Sequence, residues 1–243
     1  MRRAEADAAL NSLIKGVLSS GASGKNVLVI DVGGTSVKIL ATRQTEVRSF
    51  RSGRTLTPTR MVSGVKKIVR DWTYEVVSIG YPGPVLGGRP TAEPANLGRG
   101  WIGFDFAAAF ARPVKVVNDA AMQAMGSYKG GRMLFLGLGT GLGTALIVDG
   151  MMEPMELGHL PYKKHTYEND TVIGGGNVKK LDALPPRCRA GHNANAFLGG
   201  FRLWAEDNVI LPDMPPARAR SSGRRRRIDH SAKQELLRCG CAT

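Results

Sequence analysis

The sequence is poor in cysteine and has no long apolar run. Its three cysteines, Cys188, Cys239 and Cys241, form neither a metal-ligand pattern nor an even disulfide framework, which favours a reducing cytoplasm. No apolar run approaches the roughly 20 residues that span a bilayer. The first 18 residues also lack the apolar region of a signal peptide. We therefore expect a cytoplasmic protein that has no membrane partner.

Acidic residues are scarce relative to basic ones. The chain has 34 Lys and Arg against 20 Asp and Glu, a formal net charge of +14. Residues 213–243 hold eight basic and three acidic residues, a net of +5, with Arg224 to Arg227 at their centre. A basic surface attracts polyanions, although an ordinary solvated surface accounts for the charge equally well. Aromatic residues are few and no DNA- or RNA-binding module is recognisable, so we expect no specific nucleic-acid partner.

Apolar runs and turn residues predict an α/β order, with three antiparallel strands followed by alternating helices and strands. The predicted strands are 27–31, 37–42, 46–51, 76–80, 114–118, 132–137, 144–148 and 171–173, and the predicted helices are 57–71, 104–111, 120–129, 178–184 and 194–203. A loop over 81–103 is long enough to indicate function. The order predicts two lobes around a cleft. Their expected bounds are an extension over 1–24, an N-terminal lobe over 25–130, a shortened C-terminal lobe over 131–205 and a disordered basic tail over 206–243.

Two glycine-rich turns carry the strongest chemical signal. One follows the first strand at 31–38, and the other, at 136–144, alternates glycine with apolar residues. Glycine lets backbone amides approach phosphate oxygens, and Asp31 can hold Mg²⁺ through water or orient the acceptor. Each turn alone also fits a plain hairpin, but their co-occurrence favours phosphate loops. The candidate phosphate-binding residues are Asp31, Gly33, Gly34, Thr35, Lys38, Gly137, Gly139, Thr140, Gly141 and Gly143.

Asp119 lies between the two turns and is the candidate general base. In phosphoryl transfer to an alcohol, a carboxylate accepts the hydroxyl proton. Because Asn118-Asp119 precedes a helical run, the alternative is a helix N-cap, and the two roles are compatible. Asn96, Glu156 and His159 can hydrogen-bond adjacent hydroxyls of a polyol. No cysteine cluster follows His159, so we expect no zinc site and no protein-built metal site.

Taken together, these motifs resemble the ROK sugar kinases, and within them the polyphosphate glucokinases. The matching segments are Asp-x-Gly-Gly-Thr at 31–35, Pro-Ala-Asn-Leu at 94–97, Asn-Asp-Ala at 118–120, the Leu-Gly repeat at 136–143, Glu-Leu-Gly-His at 156–159 and Gly-Gly-Gly-Asn at 174–177. The resemblance implies an actin-like ATPase (ribonuclease H-like) two-lobe sugar kinase fold. It also implies a homodimer, as family members commonly dimerise.

The resemblance implies a reaction as well. The chain would transfer a phosphoryl group from polyphosphate or ATP, with Mg²⁺, to the 6-hydroxyl of glucose, and Asp119 would be the base. The glycine turns would hold the donor phosphates. The sugar would be bound by Asn96, Asn118, Glu156 and His159, and the far end of the donor would lie near Gly174, Gly175, Gly176 and Asn177.

Two segments depart from the family pattern. Relatives place a helical stretch after the position of Glu168, but here Thr171 begins a strand almost at once. We interpret this as an internal deletion that truncates the second lobe and expect it to expose Leu134, Leu136, Leu146 and Ile147. The tail over 212–243 matches nothing in the family and is either read-through or a basic arm. The alternatives to an active glucokinase are an impaired or inactive ROK remnant and an ATP-dependent ROK hexokinase. A ROK repressor is disfavoured because 24 N-terminal residues are too few for a DNA-binding domain.

Overall fold

The computed structural model describes residues 24–138, 142–155, 170–174, 181–184 and 188–205. These residues form two five-stranded sheets, a two-stranded hairpin and four helices. The strands are β1 Val27–Val32, β2 Ser36–Ala41, β3 Arg48–Arg51, β4 Val76–Tyr81, β5 Val85–Leu86, β6 Arg89–Pro90, β7 Val114–Asn118, β8 Arg132–Leu138, β9 Leu142–Val148, β10 Met151–Met155, β11 Asp170–Gly174 and β12 Cys188–Ala190. The helices are α1 Pro58–Ile68, α2 Phe106–Phe110, α3 Asp119–Ser127 and α4 Asn195–Arg202.

The first sheet has the strand order β3-β2-β1-β4-β7. The first three strands are antiparallel neighbours, whereas β4 runs parallel to β1 and β7 runs parallel to β4. Every residue of β1 and β4 is buried, which explains why both sequences are nearly continuous apolar runs. The carboxyl ends of β1, β4 and β7 therefore lie at the same edge of this sheet.

Helices α1 and α2 pack on one face of the first sheet. Helix α1 begins where the sequence predicts: Thr57 caps it by accepting a hydrogen bond from the Arg60 amide, and Pro58 takes the first helical position. The buried face of α1 joins a core with residues of β1 and β2. The members of that core from α1, β1 and β2 are Met61, Val62, Val65, Leu28, Ile30, Val32, Val37, Ile39 and Ala41.

The second sheet has the order β10-β9-β8-β11-β12. Strands β8, β9 and β10 form an antiparallel meander, and β11 runs parallel to both β8 and β12. Strands β10 and β12 were not predicted from the sequence. Their residues, Met-Met-Glu-Pro-Met and Cys-Arg-Ala, include none of the β-branched residues typical of strands. The helix predicted over 178–184 is wrong for residues 181–184, which are not helical. Its first three residues lie outside the described residues.

Helices α3 and α4 connect the two sheets through one apolar core. Val29 and Leu40 of the first sheet belong to the same buried cluster as Phe135, Ala145 and Ile147 of the second. The helices contribute Ala120, Met122, Ala124, Met125, Ala196, Phe197 and Phe201 to it. Burial of a single continuous apolar surface favours folding of both sheets together.

The expectation that a missing crossover exposes four residues of the second sheet is wrong. Ile147 is fully buried, Leu134 is 6% exposed, and Leu136 and Leu146 are half-buried. Ile147 is covered because it shares the inner face of β9 with Ala145, two residues away. Leu134 is on the central strand, where β9 and β11 flank it on either side.

Glycines allow α3 and α4 to touch backbone to backbone. A Cβ added at Gly126 of α3 would overlap the carbonyl oxygen of Asn195, and one added at Gly199 of α4 would overlap that of Met122. Across the same contact, the Asn195 side-chain amide donates a hydrogen bond of 2.8 Å to the Ser127 hydroxyl. The two helices thus approach at a distance that no larger residue permits at these two positions.

The expected domain bounds remain predictions. The boundary after residue 130 falls in the turn between α3 and β8, although the two sheets share a core. The extension over 1–24, except for Gly24, and the tail over 206–243 lie outside the described residues. In the part of the chain that the structure describes, no helix is both long and apolar enough to cross a membrane.

We expect Gly199→Ala to lower the free energy of unfolding by about 3 kcal/mol, because α4 must move away from α3 to admit the methyl group. Urea unfolding followed by circular dichroism measures the change. Gly24→Ala is the control: nothing lies within 4 Å of its added Cβ, so it should stay near the parent. A Gly199→Ala variant as stable as that control would contradict the contact.

Candidate active site

The predicted site residues gather at the carboxyl ends of the parallel strands of the first sheet. Asp31, in β1, is in register with Gly80 of β4, and Tyr81 of β4 is in register with Asn118 of β7. Asp119 follows directly as the first residue of α3. Ligands of open α/β sheets bind at this edge, so the topology alone puts the candidate acid–base group in the expected place.

Asn118, not Asp119, caps helix α3. Its side-chain oxygen accepts a hydrogen bond of 3.1 Å from the Ala121 amide, and its side-chain nitrogen donates one of 3.0 Å to the Gly83 carbonyl oxygen. Both ends of the Asn118 amide therefore have protein partners, although it was predicted to bind the sugar. The half-buried Asp119 carboxylate accepts from the Ala120 amide at 2.8 Å. The capping role considered for Asp119 thus belongs to its neighbour.

The first glycine loop is the turn of the β1–β2 hairpin. The Gly33 amide donates to the Ser36 carbonyl oxygen at 3.1 Å, and the Gly33 carbonyl oxygen accepts from the Ser52 hydroxyl at 2.6 Å. The Ser52 amide also donates to the Thr35 carbonyl oxygen at 3.1 Å. Ser52 was not among the predicted residues, since its only local signal in the sequence is its place just after β3. The Gly33 amide is thus used within the turn itself.

Asn96 lies beside this loop. A Cβ built on Gly34 would be 3.5 Å from the Cβ of Asn96 and 3.8 Å from its side-chain nitrogen. The fold therefore brings a predicted sugar-binding residue to a predicted phosphate loop from 62 positions away in the sequence. A site for phosphoryl transfer needs this kind of proximity between acceptor and donor.

Asp31 is almost fully buried, with 8% of its surface exposed. Burial raises the pKa of its carboxyl, and the positive charge of Lys38, its register partner on β2, acts in the opposite direction. A buried carboxyl next to a glycine turn is the kind of perturbed group that occurs at functional sites. Asp31 and Lys38, two of the predicted phosphate-binding residues, are thus opposite each other on neighbouring strands.

The strands on either side of the second glycine loop reach the first turn of α3. Gly137 pairs with Gly143 across β8 and β9, and a Cβ built on Gly143 would lie 2.6 Å from the Cβ of Ala120. This loop therefore begins and ends next to the helix turn that carries Asp119. Its members Gly139, Thr140 and Gly141 lie outside the described residues.

Gly174 ends β11 in register with Gly137, so it lies at the same end of the second sheet as that loop. The other residues expected at the donor end or on the sugar lie outside the described residues; they are Gly175, Gly176, Asn177, Glu156 and His159. Among the residues that are described, no cluster of three or more His, Cys, Asp or Glu side chains is arranged to hold a metal ion.

Two sheets of this topology, with one glycine turn after β1 and the other against the start of α3, define an actin-like sugar kinase fold. A family model described as "ROK family" matches residues 27–175, and the chain belongs to this family of sugar kinases. No curated protein sequence is significantly similar to the chain.

Solved structures with the same fold include sugar kinases and other ROK proteins. The inorganic polyphosphate/ATP-glucomannokinase of Arthrobacter sp. strain KM aligns with a TM-score of 0.60 at 23% identity, covering 73% of this chain and 97% of that one. A ROK family protein of Streptococcus pneumoniae TIGR4, in complex with sucrose, aligns with a TM-score of 0.57 at 15% identity, covering 74% and 97%. These similarities confirm the predicted fold class.

We expect Asp31→Asn to raise the unfolding temperature at neutral pH. Because burial raises the folded-state pKa above the unfolded one, the stability linked to Asp31 is fully present only below the unfolded pKa and is lost as pH rises through the folded pKa. The gain from the neutral amide should therefore vanish in acid. Unfolding temperatures measured against pH test this, with the exposed Asp149→Asn as control. A variant less stable than the parent at neutral pH would contradict it.

We expect Gly143→Ala to reduce the rate of sugar phosphorylation about tenfold to a hundredfold, because its methyl group pushes against Ala120 and displaces the helix turn that carries Asp119. Removing the clashing atom in Gly143→Ala/Ala120→Gly should restore part of that rate. Initial rates of both variants and the parent provide the test. If the double variant is no faster than the single one, the clash with Ala120 is not the cause.

Proposed function

We propose that this chain transfers a phosphoryl group from polyphosphate or ATP to the 6-hydroxyl of glucose, with Asp119 as the general base. The observation that carries the proposal is the proximity of both glycine loops to the residues that surround Asp119. Asn96 lies beside Gly34 of the first loop, and Gly143 of the second lies against Ala120, which follows Asp119. Asp31, at the start of the first loop, is in register with Gly80, and a Cβ built on Gly80 would be 3.5 Å from the Cα of Asp119. These contacts support a site in which donor and acceptor both lie near Asp119.

The position of Asp119 in the fold suits it to proton transfer. It is half-buried at the N-terminus of α3, with Asn118 already satisfying the helix cap. A carboxylate in that position accepts the proton of the sugar hydroxyl while the oxygen attacks the terminal phosphorus of the donor in line. The bond from that phosphorus to its bridging oxygen breaks, and the shortened polyphosphate or ADP leaves with the bridging oxygen. The partial positive charge of the helix N-terminus favours the ionised carboxylate before the transfer.

Mg²⁺ fits the donor set at the first glycine loop. Mg²⁺ is usually held by one or two carboxylates, water and substrate phosphates, and the Asp31 carboxyl beside the first glycine loop is a ligand of that kind. Asp31 would hold the ion, and the bound ion would neutralise charge on the donor phosphates. Lys38 and the backbone of the first loop would bind the same phosphates directly.

The sugar specificity rests on hydroxyl recognition. Asn96 offers both a donor and an acceptor from one exposed amide. Glu156 and His159 remain the predicted partners of the other hydroxyls. A glucomannokinase that uses polyphosphate or ATP is among the structural neighbours, which supports a hexose acceptor and both donors. The net charge of +14 supports the polyanionic donor. We further propose that the protein is a cytoplasmic homodimer.

We expect Asp119→Asn to lower kcat by about two to four orders of magnitude, because the amide cannot take the hydroxyl proton. Glucose affinity, measured by calorimetry, should be retained. Asp149→Asn is the matched control, since it makes the same change in an exposed turn at the opposite end of β9 from the glycine loop. Normal turnover in Asp119→Asn would remove this residue from its role.

A companion comparison of initial rates with polyphosphate and with ATP, at saturating glucose, selects between the donors. A faster polyphosphate reaction supports the polyphosphate glucokinase proposal, and turnover with ATP alone supports the ATP-dependent hexokinase. If folded protein forms no glucose 6-phosphate from either donor, the impaired-remnant hypothesis replaces both.

A further inference from the structure

The loop that carries Asn96 is closed by a carboxylate that none of the sequence motifs included. The Glu93 side chain accepts hydrogen bonds from three consecutive amides: Gly100 at 3.1 Å to each carboxylate oxygen, Trp101 at 3.2 Å and Ile102 at 3.5 Å. Successive amides that point at one anion form a backbone nest. Gly100 makes the nest possible because its φ of 96° lies in the region that favours glycine.

This nest joins the two ends of a six-residue loop, 94–99. The loop has an apolar underside, since Pro94 and Leu97 are buried, whereas Asn96 faces outward. The Gly98 amide fixes the base of the loop by donating to the Leu56 carbonyl oxygen at 3.0 Å. The loop therefore presents Asn96 in one orientation as long as its ends stay together.

The two ends are themselves attached to the protein core. Trp101 is fully buried, and its indole nitrogen donates to the Gly98 carbonyl oxygen at 2.7 Å. The Trp101 ring contacts that of Tyr81, with centroids 5.5 Å apart. On the other side, the Tyr81 hydroxyl donates to the Ala92 carbonyl oxygen at 2.7 Å, next to Glu93. Tyr81, the last residue of β4, thus contacts both segments that Glu93 joins: the one that holds Ala92 and the one that holds Trp101.

We propose that Glu93 is a positioning residue for the sugar: by closing the 94–99 loop it holds Asn96 beside Gly34, where the amide can meet a sugar hydroxyl. Glu93 acts through Asn96 and does not touch the substrate. The proposal rests on the proposed sugar kinase function. A carboxylate is needed because its two oxygens accept from all three amides, whereas glutamine would turn an NH₂ group toward N–H donors.

Glu93→Gln tests the consequence for the sugar. We expect the KM for glucose to rise about tenfold, with kcat and the donor KM unchanged, because a mispositioned Asn96 loses binding that is equal in ground and transition states. Asn96→Ala should cost less in the Glu93→Gln background than in the parent, since the two residues act as one unit. Equal costs in both backgrounds, or an unchanged glucose KM, would overturn the proposal.

Limited trypsin digestion tests loop closure without any activity measurement. Arg99 is exposed and lies inside the closed loop, so opening the loop should expose its peptide bond to Gly100. We expect cleavage there to be about tenfold faster in Glu93→Gln than in the parent, as identified by mass spectrometry. Cleavage at the parent rate would show that Glu93 does not close the loop.

Glu75→Gln is the matched control for both measurements. Its carboxylate also accepts from a backbone amide, that of Asn26 at 2.7 Å, but it precedes β4, at the opposite end of the sheet from Asn96. It should change neither the glucose KM nor the cleavage at Arg99. If the parent neither binds nor phosphorylates glucose, the proposed function fails, and the trypsin result still decides whether Glu93 closes the loop.

Discussion

Helix α3 holds its place because the backbone of α4 lies directly against it at two glycines. Gly126 and Gly199 allow this approach, and Gly200 lets α4 pack tightly on the side chain of Val29 in β1. The buried Ser78 hydroxyl of β4 donates to the Gly200 carbonyl oxygen at 2.6 Å and completes the attachment. A helix from near the end of the described chain thus fixes a helix from its middle, and both sheets pack on the pair.

The candidate chemistry depends on that pair. The first turn of α3 carries Asp119 and meets the second glycine loop through Ala120 and Gly143. Asn118 ties the same turn to the loop that follows β4. Each of these contacts involves backbone or short side chains, which cannot adjust much. A small displacement of α3 would therefore disturb the site. The described residues of both sheets keep this arrangement, which is why we propose an active enzyme rather than a remnant.

Local patterns predicted what depends on neighbours in the sequence. The start of α1 at Pro58 and the bounds of β7 follow from capping chemistry and an apolar run. The sequence does not separate Asn118 from Asp119 as the cap, because both are good capping residues at adjacent positions. The nest around Glu93 and the contact at Gly199 depend on segments that meet only after folding. Apolar periodicity along the sequence does not predict such contacts. The strand β12 has three residues, which are too few for an alternation of apolar and polar residues to be recognised.

Both sheets belong to one cooperative unit through α3. Amide hydrogen exchange, read residue by residue, tests it most directly. We expect the inner amides of α3, β1 and β8 to exchange at closely similar rates, through global unfolding, and to respond equally to added denaturant. Exchange of β8 and β9 that is orders of magnitude faster than that of β1 and β4 would contradict it, because the second sheet would then open on its own.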